Sequence, residues 1–374
     1  MSLILNGDLT KLKNLGMGMY KDAVDAGKPF KVWLEDYVAT KEGGGFETPY
    51  RGLSNMETFM EIRRMKAAGE TVPMTAYELA LAAHDIKAFG SITDPVSKFF
   101  TNASTSTLFP EFIGTRIYTG AIVSAIWPFF MQETVNITGL TFKKIYLNDT
   151  APQRQGGRVG RGGLFPKKTF TVGDESVNLE KYGVEIEFDY EILADQPLNL
   201  YGKELEKIGK QIGVDETDDM FYILVNGDGN SNGLESAQTV SAVTSGSVSK
   251  LDIIDLATAC PMPYNLNVFA GPTAYMRLYW DALSDMTNPN LQKAEIPIPL
   301  PMGYRWDSGQ MLSVTDRFYG VDKSQAISYV TNDAMLLTET DRIINKQVVT
   351  TVVSKRGIFT VNTQDAIGCL DITA

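Results

Sequence analysis

The chain has 374 residues, of which 44% are hydrophobic and 21% charged, and its formal net charge is -11. This composition is typical of a soluble globular protein with two or three packed units, and the acidic balance argues against a role in gripping nucleic acid. The most apolar segment, residues 121–131, contains Pro128 and is too short for a membrane span, which needs about twenty apolar residues. With no signal-peptide pattern at the N-terminus, we expect a soluble protein made in the cytoplasm.

Residues 1–90 are predicted to form a small helical region that packs as a satellite unit. Ser54 with Glu57, and Thr75 with Glu78, have the spacing of capping boxes, which begin helices. The second of these helices is expected to end at Gly90. Residues 91–106 are mostly small and polar and hold little to bury, which predicts an extended arm.

Residues 182–190 alternate strictly between apolar and polar side chains, and this pattern predicts a half-buried strand. Residues 141–147 are a plausible partner strand. The insertion between them, residues 148–171, contains seven glycines or prolines. A loop of this length without structure of its own is usually functional, so we expect it to reach away from the body of its subunit.

A long helix is predicted over residues 198–225, about 40 Å in length, ending in a glycine-rich turn that starts at Asn226. Residues 240–340 are interpreted as mixed α/β, with helices at 251–259 and 273–283. Two C-terminal strands, 345–353 and 358–361, are predicted to form a hairpin that turns at 354–357.

The sequence offers little for catalysis, so we predict that the protein is not an enzyme. His84 is the only histidine, and neither a phosphate-binding loop nor a nucleophile elbow is present. Cys260 and Cys369 lack redox or metal-binding spacing and are expected to be buried thiols. The segment from Asp228 to Gly233 imitates half of a calcium loop, but Thr239 stands where the bidentate acid is required. A polar turn is the preferred interpretation, and no cofactor or metal is predicted.

Charge in the 141–172 segment is reversed relative to the rest of the chain, with seven Lys or Arg residues and one acid. We predict that this loop contacts an acidic surface on a neighbouring copy, at the late part of the long helix. The predicted basic residues of this interface are Arg154, Arg158, Arg161, Lys167 and Lys168, and the acidic ones are Asp215, Glu216, Asp218 and Asp219. Two alternatives remain open: a solvated basic loop, and an Arg-Gly segment that binds nucleic acid.

The order of these parts resembles the tailed-bacteriophage major capsid family, which has the Hong Kong 97 fold. The segment 108–112 is similar to the entry of that family into its peripheral domain, and 184–195 is similar to its strand and turn into the spine helix. The segment 355–370 is similar to its closing motif. The resemblance covers residues 107–372, and encapsulin compartments share the same fold.

The resemblance implies an α+β fold with an N-terminal arm at 91–110 and an extended β-hairpin loop at 141–171. A peripheral domain would comprise 111–140, 172–240 and 341–374, with the spine helix at 198–225, and an axial domain would comprise 241–340. The helical region 1–90 would precede this fold as an added subunit contact that is retained in the particle. Lys167 and Lys168 lie in the element that some family members crosslink, but crosslinking is not predicted.

The function implied by the resemblance is a major capsid protein of a virion. Its copies would form hexamers and pentamers of an icosahedral phage head, which encloses double-stranded DNA without sequence-specific binding. Portal and decoration proteins are the expected partners, and no membrane is involved. The alternatives are an encapsulin-like shell protein, a nucleic-acid-binding protein that uses the Arg-Gly loop, and a hydrolase with paired carboxylates in a cleft.

Overall fold

The computed structural model describes residues 8–16, 18–90, 92–147, 161, 170–189, 196–230, 239–260, 264, 266–271, 316–332, 337–343 and 348–373. The chain divides into two compact units. Unit 1 comprises Met1–Pro128, Lys181–Asp218 and Asn332–Arg356, and unit 2 comprises Phe129–Glu180, Asp219–Thr331 and Gly357–Ala374. This division differs from the domains implied by the resemblance, because both units contain parts of the expected peripheral domain.

The helices of unit 1 begin where the sequence provides caps. Both predicted capping boxes are present, and their helices begin directly after Ser54 and Thr75. The second helix ends earlier than predicted, because Asp85 takes a left-handed conformation with φ of 55° just after it. The helices are α1 (Gly18–Asp25), α2 (Phe30–Val38), α3 (Asn55–Ala67), α4 (Ala76–Ala83), α5 (Ala103–Ser106) and α6 (Phe109–Ser124).

The long helix α7 (Leu198–Asn226) has 29 residues, which confirms the predicted helix. Its unit 1 portion packs closely on α6 at positions without side chains. A Cβ atom at Gly209 would overlap the carbonyl oxygen of Ile117, and one at Gly120 would overlap the carbonyl oxygen of Glu206. These glycines therefore let the two helix backbones approach more closely than larger residues would allow.

The N-terminal helices share one hydrophobic core with the rest of unit 1. Leu12, Leu34 and Leu79 belong to the same buried cluster as Phe109 and Tyr201. The Tyr77 hydroxyl also donates a 2.9 Å hydrogen bond to the carbonyl oxygen of Leu108. The prediction of a satellite unit is therefore wrong: residues 8–90 are a structural part of unit 1.

The segment predicted as an extended arm is helical over much of its length. Residues Val96–Phe100 form a 3-10 helix, and α5 follows directly. Val96 and Phe99 are fully buried, and the Phe99 ring lies 5.5 Å from that of Phe109. Val96 and Phe99 thus enter the core and hold the segment on unit 1, whereas Ile92 is exposed.

The strands of unit 1 include β4 (Glu180–Asp189), which confirms the predicted alternating strand, and β9 (Leu337–Ile343). The strand β10 (Val348–Val361) pairs antiparallel with β9 through its first half, and β4 is its neighbour in the sheet. The predicted C-terminal hairpin is wrong, because 354–357 lie inside β10. Gly357 permits close packing rather than a turn, since a Cβ atom there would overlap the hydroxyl of Tyr329.

Unit 2 contains the second half of β10, which pairs antiparallel with β8 (Ile327–Thr331), and β8 pairs in parallel with β1 (Thr134–Asn136). A four-stranded sheet has the order β5-β11-β7-β6. Its strands are β5 (Thr239–Ser241), β6 (Val268–Ala270), β7 (Arg317–Val321) and β11 (Ile367–Asp371). The helix α8 (Lys250–Thr258) contributes Leu256 to the core beside Phe318 and Leu370, whereas the predicted helix at 273–283 lies outside the described residues.

Candidate subunit interface

The predicted extended loop begins and ends in an antiparallel hairpin of unit 2. Its strands are β2 (Thr141–Leu147) and β3 (Phe170–Asn178), with Thr141 opposite Asn178 at the base and Leu147 opposite Phe170 at the far end. In the described residues this pair forms a sheet of its own. The prediction of a strand at 141–147 is confirmed, and its partner is β3 rather than the strand at 182–190.

Of the five basic residues predicted for the interface, Arg161 is described and is exposed. Arg154, Arg158, Lys167 and Lys168 lie outside the described residues. The basic character of this segment is therefore known from the sequence, and its contacts stay a prediction.

The acidic residues predicted for the same interface differ in their exposure. Asp215 is exposed and accepts a 2.8 Å hydrogen bond from the side-chain amide of Gln211. Asp218 and Asp219 are partly buried. These three carboxylates remain candidates for a contact with another molecule.

Glu216 requires a correction, because it does not lie on the exposed acidic surface. Only 1% of this residue is exposed, and its carboxylate forms an ion pair with Lys355. The indole nitrogen of Trp127 donates a 3.1 Å hydrogen bond to Oε2 of Glu216. The helical period of the sequence places Glu216 on the same face of α7 as Gly213, Thr217 and Met220. These three residues are also buried, so their spacing is the signal for the burial of Glu216.

A second acidic surface lies on β4, where Glu185, Glu187 and Asp189 are all exposed. Because alternate residues of a strand point to the same face, these carboxylates form a row with a spacing of about 7 Å. Among the described strands, β4 is the last on its side of the sheet. The sequence predicts these residues as the polar face of a strand, and their shared acidic charge is the signal that marks this face as a candidate contact.

Ligand chemistry is limited in the part of the chain that the structure describes. It holds no group of three or more His, Cys, Asp or Glu side chains that could bind a metal. Asp228, the first residue of the calcium-like segment, forms a buried ion pair with Lys144. Burial raises the pKa of both cysteine thiols, Cys260 and Cys369, to about 12, which opposes nucleophilic reactivity near neutral pH.

A cavity of about 110 Å³ in unit 1 lies between helices α1, α2 and α6 and the strands β4 and β10. Glu111 is its single lining carboxylate, and burial raises the pKa of this group. The Lys31 ammonium lies 3.8 Å from Glu111 and opposes that shift. This cavity therefore does not provide the carboxylate pair that the hydrolase alternative requires. None of the described helices has an apolar stretch long enough to cross a membrane.

No protein-family model matches this sequence, and no curated protein matches it. The chain is similar to the capsid of a native GTA particle, at 15% identity over 65% of this chain and 89% of that chain, with a TM-score of 0.46. It is similar to a chain of Mycobacterium phage Bobi at 13% identity, over 67% of this chain and 89% of that chain, with a TM-score of 0.44. The holo-SrpI encapsulin complex of Synechococcus elongatus PCC 7942 is similar at 11% identity, over 66% and 87%, with a TM-score of 0.44. These structural likenesses are to shell proteins of the Hong Kong 97 fold, at low sequence identity.

Proposed function

We propose that this protein is the major capsid protein of a tailed bacteriophage. Its copies form hexamers and pentamers, close into an icosahedral head and enclose double-stranded DNA. The protein is assembled in the host cytoplasm and resides in the virion, with portal and decoration proteins as further partners. The role is structural, and no cofactor is involved.

The β2–β3 hairpin is the observation that carries this proposal. A two-stranded hairpin is marginally stable on its own in water, so it requires packing against something else. The base of this hairpin has such packing, because Val177 and Lys144 are buried in unit 2. The far end leads into the glycine-rich basic segment 148–169 of the sequence, and we propose that a surface on a second copy contacts that segment.

The charges of the chain favour a second copy as the partner of this segment. The protein has a net charge of -11, and the basic segment is a local exception. Asp215, Asp218 and Asp219 provide one acidic target, and the row of Glu185, Glu187 and Asp189 provides another. Each exposed ion pair contributes only ~0–1 kcal/mol and weakens with salt, so these contacts guide the register of subunits more than they hold the shell together.

The N-terminal region is proposed to remain in the particle. Its buried residues belong to the common core of unit 1, and Leu34 and Leu79 are examples. Loss of residues 1–90 would expose core side chains such as Phe109 and Tyr201, which would destabilise the subunit. This is the physical reason to expect retention rather than removal of the segment as a scaffold.

Electron microscopy of the purified protein, together with sedimentation velocity, tests the proposal. We expect closed shells built from hexamers and pentamers, and nuclease-protected double-stranded DNA in particles from infected cells. A monomer in every condition, with the segment 148–169 protected by its own subunit in hydrogen exchange, would refute it. Shells that hold a protein cargo instead of DNA would favour the encapsulin alternative, and salt-sensitive binding of free RNA or DNA would favour the nucleic-acid alternative.

A further inference from the structure

Lys144 and Asp228 form an ion pair in the interior of unit 2. Their side chains are only 5% and 0% exposed. Lys144 lies in the middle of β2, and Asp228 follows the end of α7. The pair thus joins the hairpin to a segment 84 residues further along the chain.

The Asp228 carboxylate is also bonded to the end of β10. Its Oδ2 accepts hydrogen bonds from the Thr360 hydroxyl at 2.8 Å and from the Val361 amide at 3.2 Å. Its Oδ1 accepts a 2.8 Å bond from the side-chain amide of Asn230, and the Lys144 ammonium donates a 2.9 Å bond to the carbonyl oxygen of Val361. One buried cluster therefore connects β2, the turn after α7 and β10.

The hairpin ladder is interrupted at Lys144. Lys143 pairs with Ser176, but Ile145 pairs with Val172, so three residues of β3 stand opposite Lys144 alone. Irregularities of this kind bend the strand and redirect side chains. The ion pair is thus located at this irregularity, between the base of the hairpin and its far end.

The energetics of a buried ion pair suggest a role beyond stability. Removing two charges from water costs free energy that their attraction offsets only in part, so an apolar pair of similar volume is often as stable. Such a pair does, however, impose one geometry on the groups that it joins. Placed at the irregularity in the strand pairing, it would fix the direction of the far part of the hairpin.

We propose that Lys144 and Asp228 are a positioning pair, which sets the direction of the far end of the β2–β3 hairpin, where Leu147 lies opposite Phe170. The inference rests on the proposed function, because a fixed direction of the hairpin matters only if the hairpin must meet a second copy. Because both side chains are buried within the subunit, the pair would act through the orientation of the hairpin.

A spin-label distance measurement on the unassembled protein tests the direction of the hairpin. Labels are placed at R161C and T244C, two exposed positions of unit 2, in a C260A background that leaves only the buried Cys369. We expect one narrow distance distribution in the reference protein. K144M retains the aliphatic stem and removes the charge, and we expect it to widen the distribution.

The double variant K144M/D228N separates positioning from stability. Because both charges are removed, its urea midpoint should recover most of what K144M loses. The distance distribution should stay wide, and unlabelled K144M/D228N should form fewer regular shells. A narrow distribution in the double variant, with the reference mean distance, would overturn the proposal.

The exposed ion pair of Glu204 and Lys207 on α7 provides a matched control. E204Q/K207M should leave both the distance distribution and the shells unchanged. The labels report on the single subunit, so the result does not depend on the proposed function. If the reference protein never assembles but K144M still widens the distribution, the positioning role stands and the capsid assignment fails.

Discussion

Lys355 forms a buried ion pair with Glu216, and the Lys355 ammonium also lies 5.9 Å from the centre of the Tyr118 ring. Trp127 donates to the same carboxylate. The chain passes out of unit 1 after Pro128, after Asp218 and after Arg356. Trp127, Glu216 and Lys355 each lie within two residues of one of these points, so the cluster ties together three segments where they leave the unit.

Replacing Lys355 with Met should strongly destabilise the protein, because the buried Glu216 side chain would lose its cationic partner. Loss of one partner of a buried pair typically lowers the free energy of unfolding by ~3–5 kcal/mol. Urea denaturation measures this change. E216Q/K355M should recover part of it, and a K355M protein as stable as the wild type would contradict the expected role of the pair.

Replacing Gly209 with Ala should separate α6 from α7, because the added methyl group would overlap the Ile117 carbonyl oxygen. Overpacking of this kind lowers the free energy of unfolding by ~1–3 kcal/mol. The matched control is G18A in α1, where no atom lies within 4 Å of the added Cβ. That variant should be as stable as the wild type or slightly more stable, since alanine favours helix. Equal thermal midpoints for both variants would contradict this account of the packing.

Reversing the charge of the basic segment with R158E/R161E should impair assembly or make it more sensitive to salt. The double variant D218K/D219K should restore assembly in part if the end of α7 is the acidic target. Sedimentation velocity across a salt series measures the assembled fraction. Normal shells from R158E/R161E would remove the charge-pairing hypothesis.

The row on β4 competes with the end of α7 as the target of the same segment. E185K/E187K should restore assembly of R158E/R161E if β4 is the contact, and D218K/D219K should then have no effect. Glu216 is left out of both designs, because its charge is buried within its own subunit. The two rescue variants thus give opposite results for the two surfaces.

The elements that the sequence predicted correctly depend on local patterns. Ser54 and Thr75 begin helices through hydrogen bonds to residues three positions away. Ile186 enters the hydrophobic core from β4, a strand in which apolar and polar residues alternate. The features that it missed depend on residues far apart in the chain. Glu216 is buried by Trp127 and Lys355, and Gly357 is required by Tyr329, so neither role is visible in a local window.

The interface predictions show the same limit. A surplus of charge in one segment is visible from composition, as for Arg158 and Arg161, but the exposure of a particular acid is a property of the fold. Asp215 and Glu216 are neighbours in sequence, yet one is exposed and the other is buried. The helix α6 was missed because its apolar residues nearly encircle it, which leaves a weak amphipathic pattern.

Glu35 should be replaceable by Gln but not by Ala. It is 5% exposed, and it accepts hydrogen bonds from the Ala76 amide at 2.7 Å and the Thr48 hydroxyl at 2.5 Å. E35A leaves these donors without an acceptor at the start of α4 and should lower the free energy of unfolding by ~2–4 kcal/mol. E35Q keeps an acceptor for the Ala76 amide. It also removes the carboxyl group of Glu35, whose pKa is raised by burial. Thermal denaturation should therefore place E35Q close to the wild type, and equal losses for both variants would contradict a specific role for the acceptor.

The single histidine should make the stability of the protein depend on pH near neutrality. Nε2 of His84 is buried and has no hydrogen-bond partner among the described residues. Burial lowers the pKa of His84, and the charge of Lys13 lowers it further, whereas the bond with the Leu12 backbone and the charge of Asp85 oppose the shift. The folded state therefore prefers the neutral ring, and the unfolded state binds a proton first as the pH falls below ~6.5.

The contribution of His84 to the free energy of unfolding should thus decrease as the pH falls from 8 to 5. Glu35 and Glu111 act in the opposite direction, because their raised pKa values favour protonation in the folded state. Urea denaturation must therefore measure the difference in free energy of unfolding between the wild type and H84Q at each pH. As the pH falls, the free energy of unfolding of the wild type should decrease relative to that of H84Q. A difference that is constant with pH, or that moves in favour of the wild type, would show that His84 is not held in its neutral form by the fold.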